Sequence, residues 1–487
     1  MTESLSITAS AIDPGLLALP WSTPLADWSS HDIVYLPKGI SRHLVRFATL
    51  SGRVVAIKET TAEMARREYD MLGSLDRLDV PCVQRVAVID GRWAPAPRGA
   101  AQRDATRADG RHGEDAGGKP LASALVTAHL RFSLPYRALF TQVLRPDTAN
   151  RLVDALAVLL VRLHNVGFFW GGVSLSNTLF RRDAGAFAAY LVDAETGELH
   201  EGGLTRGQRE HDLDVAHTNI AGEILDLAAG GRLERGMDAV EIADGIISSY
   251  RSLWDALTGT ETFAVGESWR ITERVQKLNA LGFDIGEMSI RTTPDGTRVS
   301  IQPKVVDAGH HQRRLIRLTG LDVEENQARR LLNDLDEYRA RTGASDDDEE
   351  MVAHEWLTRV FEPVIRAIPF ELRAKLEPAE VFHQVLEHRW YMSQARGVSV
   401  PLAEVLAGYI DEVLRYRRDE ATVMGPATET LTVPIDLGSS AGPGSGSAGP
   451  GSSGPGSGSS GSGSVQAGSG SGAHDEEEPT GDWRDLV

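Results

Sequence analysis

The order of elements predicted from this 487-residue chain places it in the α+β class. Short apolar runs of strand length dominate the first third, and apolar residues recur at helical spacing through nearly everything after Thr205. Hydrophobic residues make up 41% and charged residues 24%, values that go with buried cores and exclude collagen, coiled coil and full disorder. The length exceeds one ordinary core, so two or three domains are expected.

Residues 33–36, 44–49 and 53–58 read as strands, the last two joined by a turn at Ser51-Gly52. A helix is predicted over 62–75. Strands near 83–89 and 124–130 flank residues 94–119, an Ala/Gly/Arg/Asp-rich stretch without period that reads as a surface insertion. Leu152, Leu156, Leu159, Leu160 and Leu163 share one face of a long helix at 148–165. Strands at 178–180 and 189–192 follow, and later a hairpin at 288–291 and 298–301 turned by Pro294-Asp295-Gly296. Helices from about 326 to 418 carry ordinary amphipathic patterns, such as Ala328, Leu331, Leu332, Leu335 and Tyr338. Residues 438–473 are Gly/Ser/Pro/Ala repeats that offer almost nothing to bury against chain entropy. The acidic end that follows reads as a solvating segment, with a docking peptide built on Trp483 and Leu486 as the sharper reading.

Charge and cysteine usage narrow the function classes. Lys+Arg number 50 against 69 Asp+Glu, a formal net charge of −19, which argues against a fold-wide basic surface for nucleic acid or anionic lipid. Cys82 is the single cysteine, so no disulfide framework or cysteine-based zinc site can be assembled, as expected for a reducing compartment. No Lys or Arg precedes the short apolar stretch at the N-terminus, and no apolar run approaches the ~20 residues of a membrane span. The expectation is a cytoplasmic protein without a membrane span.

One helix carries an anomaly. Met64, Met71, Leu72 and Leu75 define the apolar stripe of the 62–75 helix, and Glu68 falls inside it, about 40° from Met64 at 100° per residue. A carboxylate on a buried face is costly unless a cation meets it. Lys58, ending the apolar strand Val54-Val55-Ala56-Ile57, is the nearest cation in sequence. Such a pair either simply stabilises the fold or positions an ammonium for phosphate oxygens.

Val55-Ala56-Ile57-Lys58 with Glu68 resembles the third-strand lysine and its helix partner in the protein-kinase-like superfamily. Over residues 33 to about 230 the resemblance continues. Leu163-His164 and Gly167 lead into a segment similar to the catalytic loop. Asn177, before Thr178-Leu179-Phe180, matches the metal-binding asparagine, and Leu191-Val192-Asp193 matches the strand delivering the second metal ligand, with Ala194-Glu195 where Phe-Gly would stand. The pattern is most similar to the lipopolysaccharide-core (Kdo/WaaP-type) kinases. The second half, with Gly309-His310-His311-Gln312-Arg313-Arg314 and Glu387-His388-Arg389-Trp390-Tyr391, resembles an actinobacterial domain family of unknown function. The resemblance implies a two-lobed kinase-like domain at 31–260 after an N-terminal segment 1–30. A mainly helical domain at 261–421 and a disordered Gly/Ser-rich acidic tail at 422–487 would follow. It implies ATP and Mg²⁺ as cofactors, Lys58 on the α- and β-phosphates, and Asn177 and Asp193 on the metal ion.

Two departures qualify the expected chemistry. The phosphate-binding turn has one glycine, Gly39; Lys38, Arg42, His43 and Arg46 crowd it, either covering polyphosphate in place of glycine amides or forming a solvated basic turn. The catalytic aspartate position, five residues before Asn177, is Gly172, which has no side chain to act as a base. Glu195, two residues beyond Asp193, is a replacement carboxylate or a structural group. Asp212 or Asp214 caps a helix or braces the catalytic loop. His310, His311, Arg313 and Arg314 read as a solvated helix start or an anion-binding edge, and Arg389 as a residue seeking a buried carboxylate. The expected functions are an ATP/Mg-dependent phosphotransferase with impaired catalysis, acting on an unidentified small molecule or protein. The alternatives are a pseudokinase serving as a nucleotide-regulated scaffold and an AMP transferase.

Overall fold

The computed structural model describes residues 4–36, 43–95, 118–139, 144–294, 296–417 and 419–421. Its first layer is a five-stranded antiparallel sheet in the order β1-β4-β7-β3-β2. The strands are β1 (Ser6–Ala9), β2 (Val45–Leu50), β3 (Arg53–Thr60), β4 (Arg85–Asp90) and β7 (Ser123–Ala128); helix α1 (Ala62–Arg77) connects β3 to β4. Alternation along β3 decides the layer's two faces. Val55 and Ile57 are buried against Leu16, Trp21, Leu25 and Trp28 of the N-terminal segment. Lys58 therefore points to the opposite face, where α1 packs Ala65 and Tyr69 over Val88 and Leu125. Thr61 caps α1, its hydroxyl accepting from the Met64 N–H at 3.3 Å.

Strand β1 escapes sequence reading because Ser-Ile-Thr-Ala is largely exposed and is held by main-chain pairing to β4, Ser6 opposite Asp90 through Ala9 opposite Ala87. The strand expected at 33–36 reduces to one bridge, Val34 to Phe47, since Tyr35 is 49% exposed and the stretch buries no alternating face. The expected insertion is closed at its base by β5 (Trp93–Ala94) paired with β6 (Lys119–Pro120). Residues 96–117, like the tail beyond residue 421, lie outside the described residues.

Below this sheet, α2 (Pro146–Asn165) buries Leu152, Leu156, Leu159, Leu160 and Leu163, and α3 (Arg206–Ala229) and α4 (Ala239–Thr258) add to the same core. Strand β8 (Ser133–Pro135) pairs with the hairpin of β10 (Thr178–Asp183) and β11 (Ala186–Leu191), and β9 (Phe168–Phe169) pairs with β12 (Glu198–Leu199). The hairpin runs in unbroken register from Thr178 opposite Leu191 to Asp183 opposite Ala186. The α+β order expected from the sequence holds through this region.

The second half is helical apart from a three-stranded antiparallel sheet of β13 (Glu261–Ala264), β14 (Phe283–Thr292) and β15 (Arg298–Ala308), longer than the expected hairpin. Helices α5 (Trp269–Ala280), α6 (His310–Thr319), α7 (Glu325–Thr342), α8 (Glu349–Trp356), α9 (Glu362–Ala367), α10 (Pro378–Arg396) and α11 (Leu402–Glu412) complete it. Leu331, Leu335, Trp356, Phe382, Val385 and Tyr409 lie in its core. No helix among the described residues is long and apolar enough to cross a membrane.

Two expectations in this half are corrected. The basic start of α6 keeps Arg313 exposed, as a solvated helix start would, but it is not a free anion edge, because each basic side chain meets a carboxylate. His310 meets Asp284 at 2.5 Å, His311 meets Glu325 at 2.7 Å, Arg313 pairs with Asp284, and Arg314 meets Glu349 at 2.6 Å. Among the described residues no carboxylate lies within ion-pair distance of Arg389; its guanidinium donates to the Ser399 hydroxyl at 3.4 Å and acts on the half-buried Asp334 carboxyl only through its charge.

Candidate active site

Lys58 ends up within hydrogen-bond distance of three carboxylates, one from α1 and two from the segment after β11. Its Nζ lies 2.9 Å from Glu68 Oε2 on α1, 3.1 Å from Asp193 Oδ2 and 3.0 Å from Glu195 Oε2, both just after β11. A short splice brings β11 to this level: Leu191 N–H donates to the Pro81 carbonyl and Leu191 O accepts from Val83 N–H, each at 3.0 Å. The chain therefore leaves β11 directly beneath α1. His43 Nε2 stands 3.0 Å from Glu195 Oε2, and the Glu195 N–H donates to Asp193 Oδ1 at 3.1 Å.

The charge balance of this cluster is unequal. Three carboxylates surround one ammonium, and Glu68, Asp193 and Glu195 offer ligand atoms all within 4.8 Å of one another. Burial, followed by the Asp193 charge, pushes the Glu68 carboxyl up to about 7 even with Lys58 in contact. Burial alone would lower the Lys58 ammonium, but Glu68 and Asp193 outweigh it and hold the amine above its ordinary range. Because the folded Glu68 value is raised from 4.5 to about 7, its contribution to stability is complete below about pH 4.5 and lost as pH rises through about 7. In chelator, the melting temperature is expected to decline across that window, and Glu68→Gln to flatten the decline. Calorimetric scans at pH 5 to 8 test this, and an unchanged slope in the variant would refute it.

Residues 170–177 form a loop held from below by one face of α3. The Asp212 carboxylate accepts from Trp170 N–H at 2.8 Å and Gly171 N–H at 2.7 Å, and contacts His164 Nε2 at 3.1 Å. Asn219 Nδ2 donates to the Val173 carbonyl at 2.8 Å. Glu223 accepts from Leu175 N–H at 2.9 Å and Ser176 N–H at 2.8 Å. Positions 212, 219 and 223 fall within about 40° on a helix, so one face supplies three braces. Asp212 is thus the loop brace, and Asp214 makes no such contact. Sequence reading missed Asn219 and Glu223; their signal was polar residues beside the buried positions Ala216, Ile220 and Ile224.

The loop is also tied to the Asp193 segment. Trp170, fully buried, donates its indole N–H to the Asp193 carbonyl at 2.9 Å. Asn177 Nδ2 donates to the Gly172 carbonyl at 2.9 Å, and the Asn177 carbonyl accepts from Val192 N–H at 3.0 Å. Asn177 precedes β10 by one residue and Asp193 follows β11 by two, so the hairpin delivers them side by side. Gly171 needs glycine, with φ at +69°, but Gly172 is not among the left-handed residues. A Cβ there would lie 2.9 Å from Thr196 Oγ1 and 3.6 Å from Asn177 Nδ2. Of the remaining candidates, Lys38, Gly39 and Arg42 lie outside the described residues.

A family model described as a domain of unknown function (DUF4032) matches residues 252–414. No curated protein matches the chain. Among solved structures, the chain is similar to WaaP in complex with acyl carrier protein, at 14% identity and TM-score 0.29, over 50% of this chain and 88% of that one. It is also similar to an aminoglycoside-3'-phosphotransferase of type VIII, at 14% identity and TM-score 0.30, over 50% of this chain and 91% of that one.

Proposed function

We propose that residues 31–260 form a kinase-like domain that binds Mg·ATP and transfers phosphate slowly, because the catalytic carboxylate position is Gly172. The observation that carries this reading is the convergence of Glu68, Asp193 and Glu195, from two elements up to 137 positions from Lys58 in sequence, on its ammonium. Glu68 orients the amine, and incoming phosphate oxygens would compete with Asp193 and Glu195 for it. The donor set suits Mg²⁺, which prefers hard oxygen ligands, and the excess of carboxylate over ammonium favours an added divalent cation. Asp193 and Asn177 would hold that ion, whose chemistry is to neutralise charge on the phosphates. Asn177 is oriented for this by its Nδ2 bond to Gly172, and Trp170 keeps the Asp193 main chain fixed against the loop.

Gly172 also favours a second reading, a pseudokinase in which the bound nucleotide regulates a partner surface. Incubation with γ- and α-labelled ATP separates phosphoryl transfer, AMP transfer and inertness; the acceptor is a small molecule or a protein. Binding comes first. Mg·ATP at ~100 times its dissociation constant adds ~2.7 kcal/mol, a melting rise of several degrees. Lys58→Met is expected to remove that rise. An equal rise in the variant would refute the role of Lys58, and no rise in the wild-type chain would refute the whole reading.

A further inference from the structure

We propose that the helical half is an intramolecular clamp that sets the position of Asn177 and Asp193 by holding the far end of the hairpin that carries them. The inference rests on reading these two residues as metal-ion ligands and assigns a role to the region matched by the family of unknown function. Asn177 and Asp193 flank the open end of β10–β11. At the closed end, the side chains of β10 enter the helical half rather than solvent. Arg181 meets Glu324 at 2.8 Å and pairs with Glu377, and Arg182 Nε donates to Glu420 Oε1 at 3.0 Å. Asp183 caps α7 from outside that helix, accepting from Gln327 N–H at 2.7 Å and Asn326 N–H at 3.2 Å. Ala184 N–H donates to Glu380 at 3.1 Å and Gln327 Nε2 to the Arg182 carbonyl at 2.9 Å; nearer the open end, opposite Leu179, Tyr190 Oη donates to the same Glu324 at 2.6 Å.

The chemistry of this contact is unusual for one that only adds stability. Asp183, Glu324, Gln327, Glu380 and Glu420 are all less than 9% exposed. Buried charge pairs gain little net stability over apolar packing, but each direction-dependent bond admits one geometry. Here the bonds fix how far and at what angle the hairpin tip sits. The ladder between tip and ligands has six opposed pairs without a bulge, roughly 17 Å of ribbon, stiffened by β8 pairing along Leu179–Arg181. A tip displacement therefore reaches Asn177 and Asp193 with little loss, and Arg181, Arg182 and Asp183 act as positioning residues.

The test compares Arg181→Ala and the milder Arg182→Gln, which loosens the Glu420 contact, with Arg181→Lys. Arg314→Ala, which breaks the Glu349 pair elsewhere in the helical half, serves as a control for general destabilisation. Amide hydrogen exchange of the metal-free full chain is followed at Asn177, Val192 and Glu195, and Mn²⁺ affinity is measured from the free-ion paramagnetic resonance signal. Arg181→Ala is expected to speed exchange at those amides at least tenfold and weaken Mn²⁺ about tenfold. Arg182→Gln should do the same to a smaller degree, Arg181→Lys should recover much of the loss, and Arg314→Ala should move neither reading. If Arg181→Ala does not fold, Arg182→Gln alone decides. Exchange and Mn²⁺ affinity matching the control would overturn the clamp. A wild-type chain that binds no Mn²⁺ would overturn the ligand reading on which the clamp rests, a failure visible before any variant is made.

Discussion

Gly172→Asp is expected to raise phosphoryl transfer from ATP by ~10²- to 10⁴-fold, the range a positioned general base typically contributes. The backbone at 172 is not left-handed, so an L-residue fits its conformation. The one close neighbour of the new Cβ is Thr196 Oγ1 at 2.9 Å, the end of a side chain that now donates to the Trp170 carbonyl at 2.8 Å. Rotation of that hydroxyl opens the space at the cost of about one hydrogen bond, ~1 kcal/mol. The new carboxylate would stand beside the Asn177 amide. Single-turnover transfer from γ-labelled ATP to water or to the chain itself is the measurement, since it needs no known acceptor. A variant that binds Mg·ATP yet transfers no faster than wild type would show that a missing base is not the limitation. The pseudokinase reading would then take precedence.

Replacing Asp212 is expected to be the most damaging change to the loop. Asp212→Ala leaves the Trp170 and Gly171 amides and His164 without their acceptor in a site where Asp212 and Trp170 are fully buried. Each orphaned buried donor costs ~1–3 kcal/mol, so a loss on the order of 3–5 kcal/mol is expected from a total that is typically 5–15. His164 does not compensate: burial first, only partly offset by Asp212, keeps its imidazole below the ordinary range and so neutral. Asp212→Asn retains one acceptor and should lose less. Urea unfolding of both variants checks this, with Asp214→Ala as the neighbour expected near wild type. Equal stability of Asp212→Ala and wild type would remove Asp212 from its assigned role.

The site residues differ in how strongly local sequence patterns mark them. Lys58 and Glu68 were legible because strand alternation and helical periodicity each expose one residue out of place, and both lie within a short, regular stretch. Asn177 and Asp193 were singled out only by resemblance to kinase-like motifs, since neither breaks a local pattern. Asn219 and Glu223 were not, because a polar residue on a helix looks the same whether it faces water or a loop. The direction it faces is set by what folds against it. The same limit explains the acidic partners of the α6 histidines and arginines, which come from β14, α7 and α8.

What the amino-acid order determined by itself is local: which segments form strands and helices, which faces are apolar, and that no base stands at position 172. These follow from backbone geometry and the period of hydrophobic residues, which act within a few positions. Tertiary structure decided which charges meet. Lys58 between Asp193 and Glu195, Asp212 under the loop, and the hairpin tip seated in Glu324, Glu377 and Glu420 are pairings across about 40 to more than 200 residues. Coulomb forces and hydrogen bonds select partners by distance and direction in space, and both quantities exist only once the chain has folded.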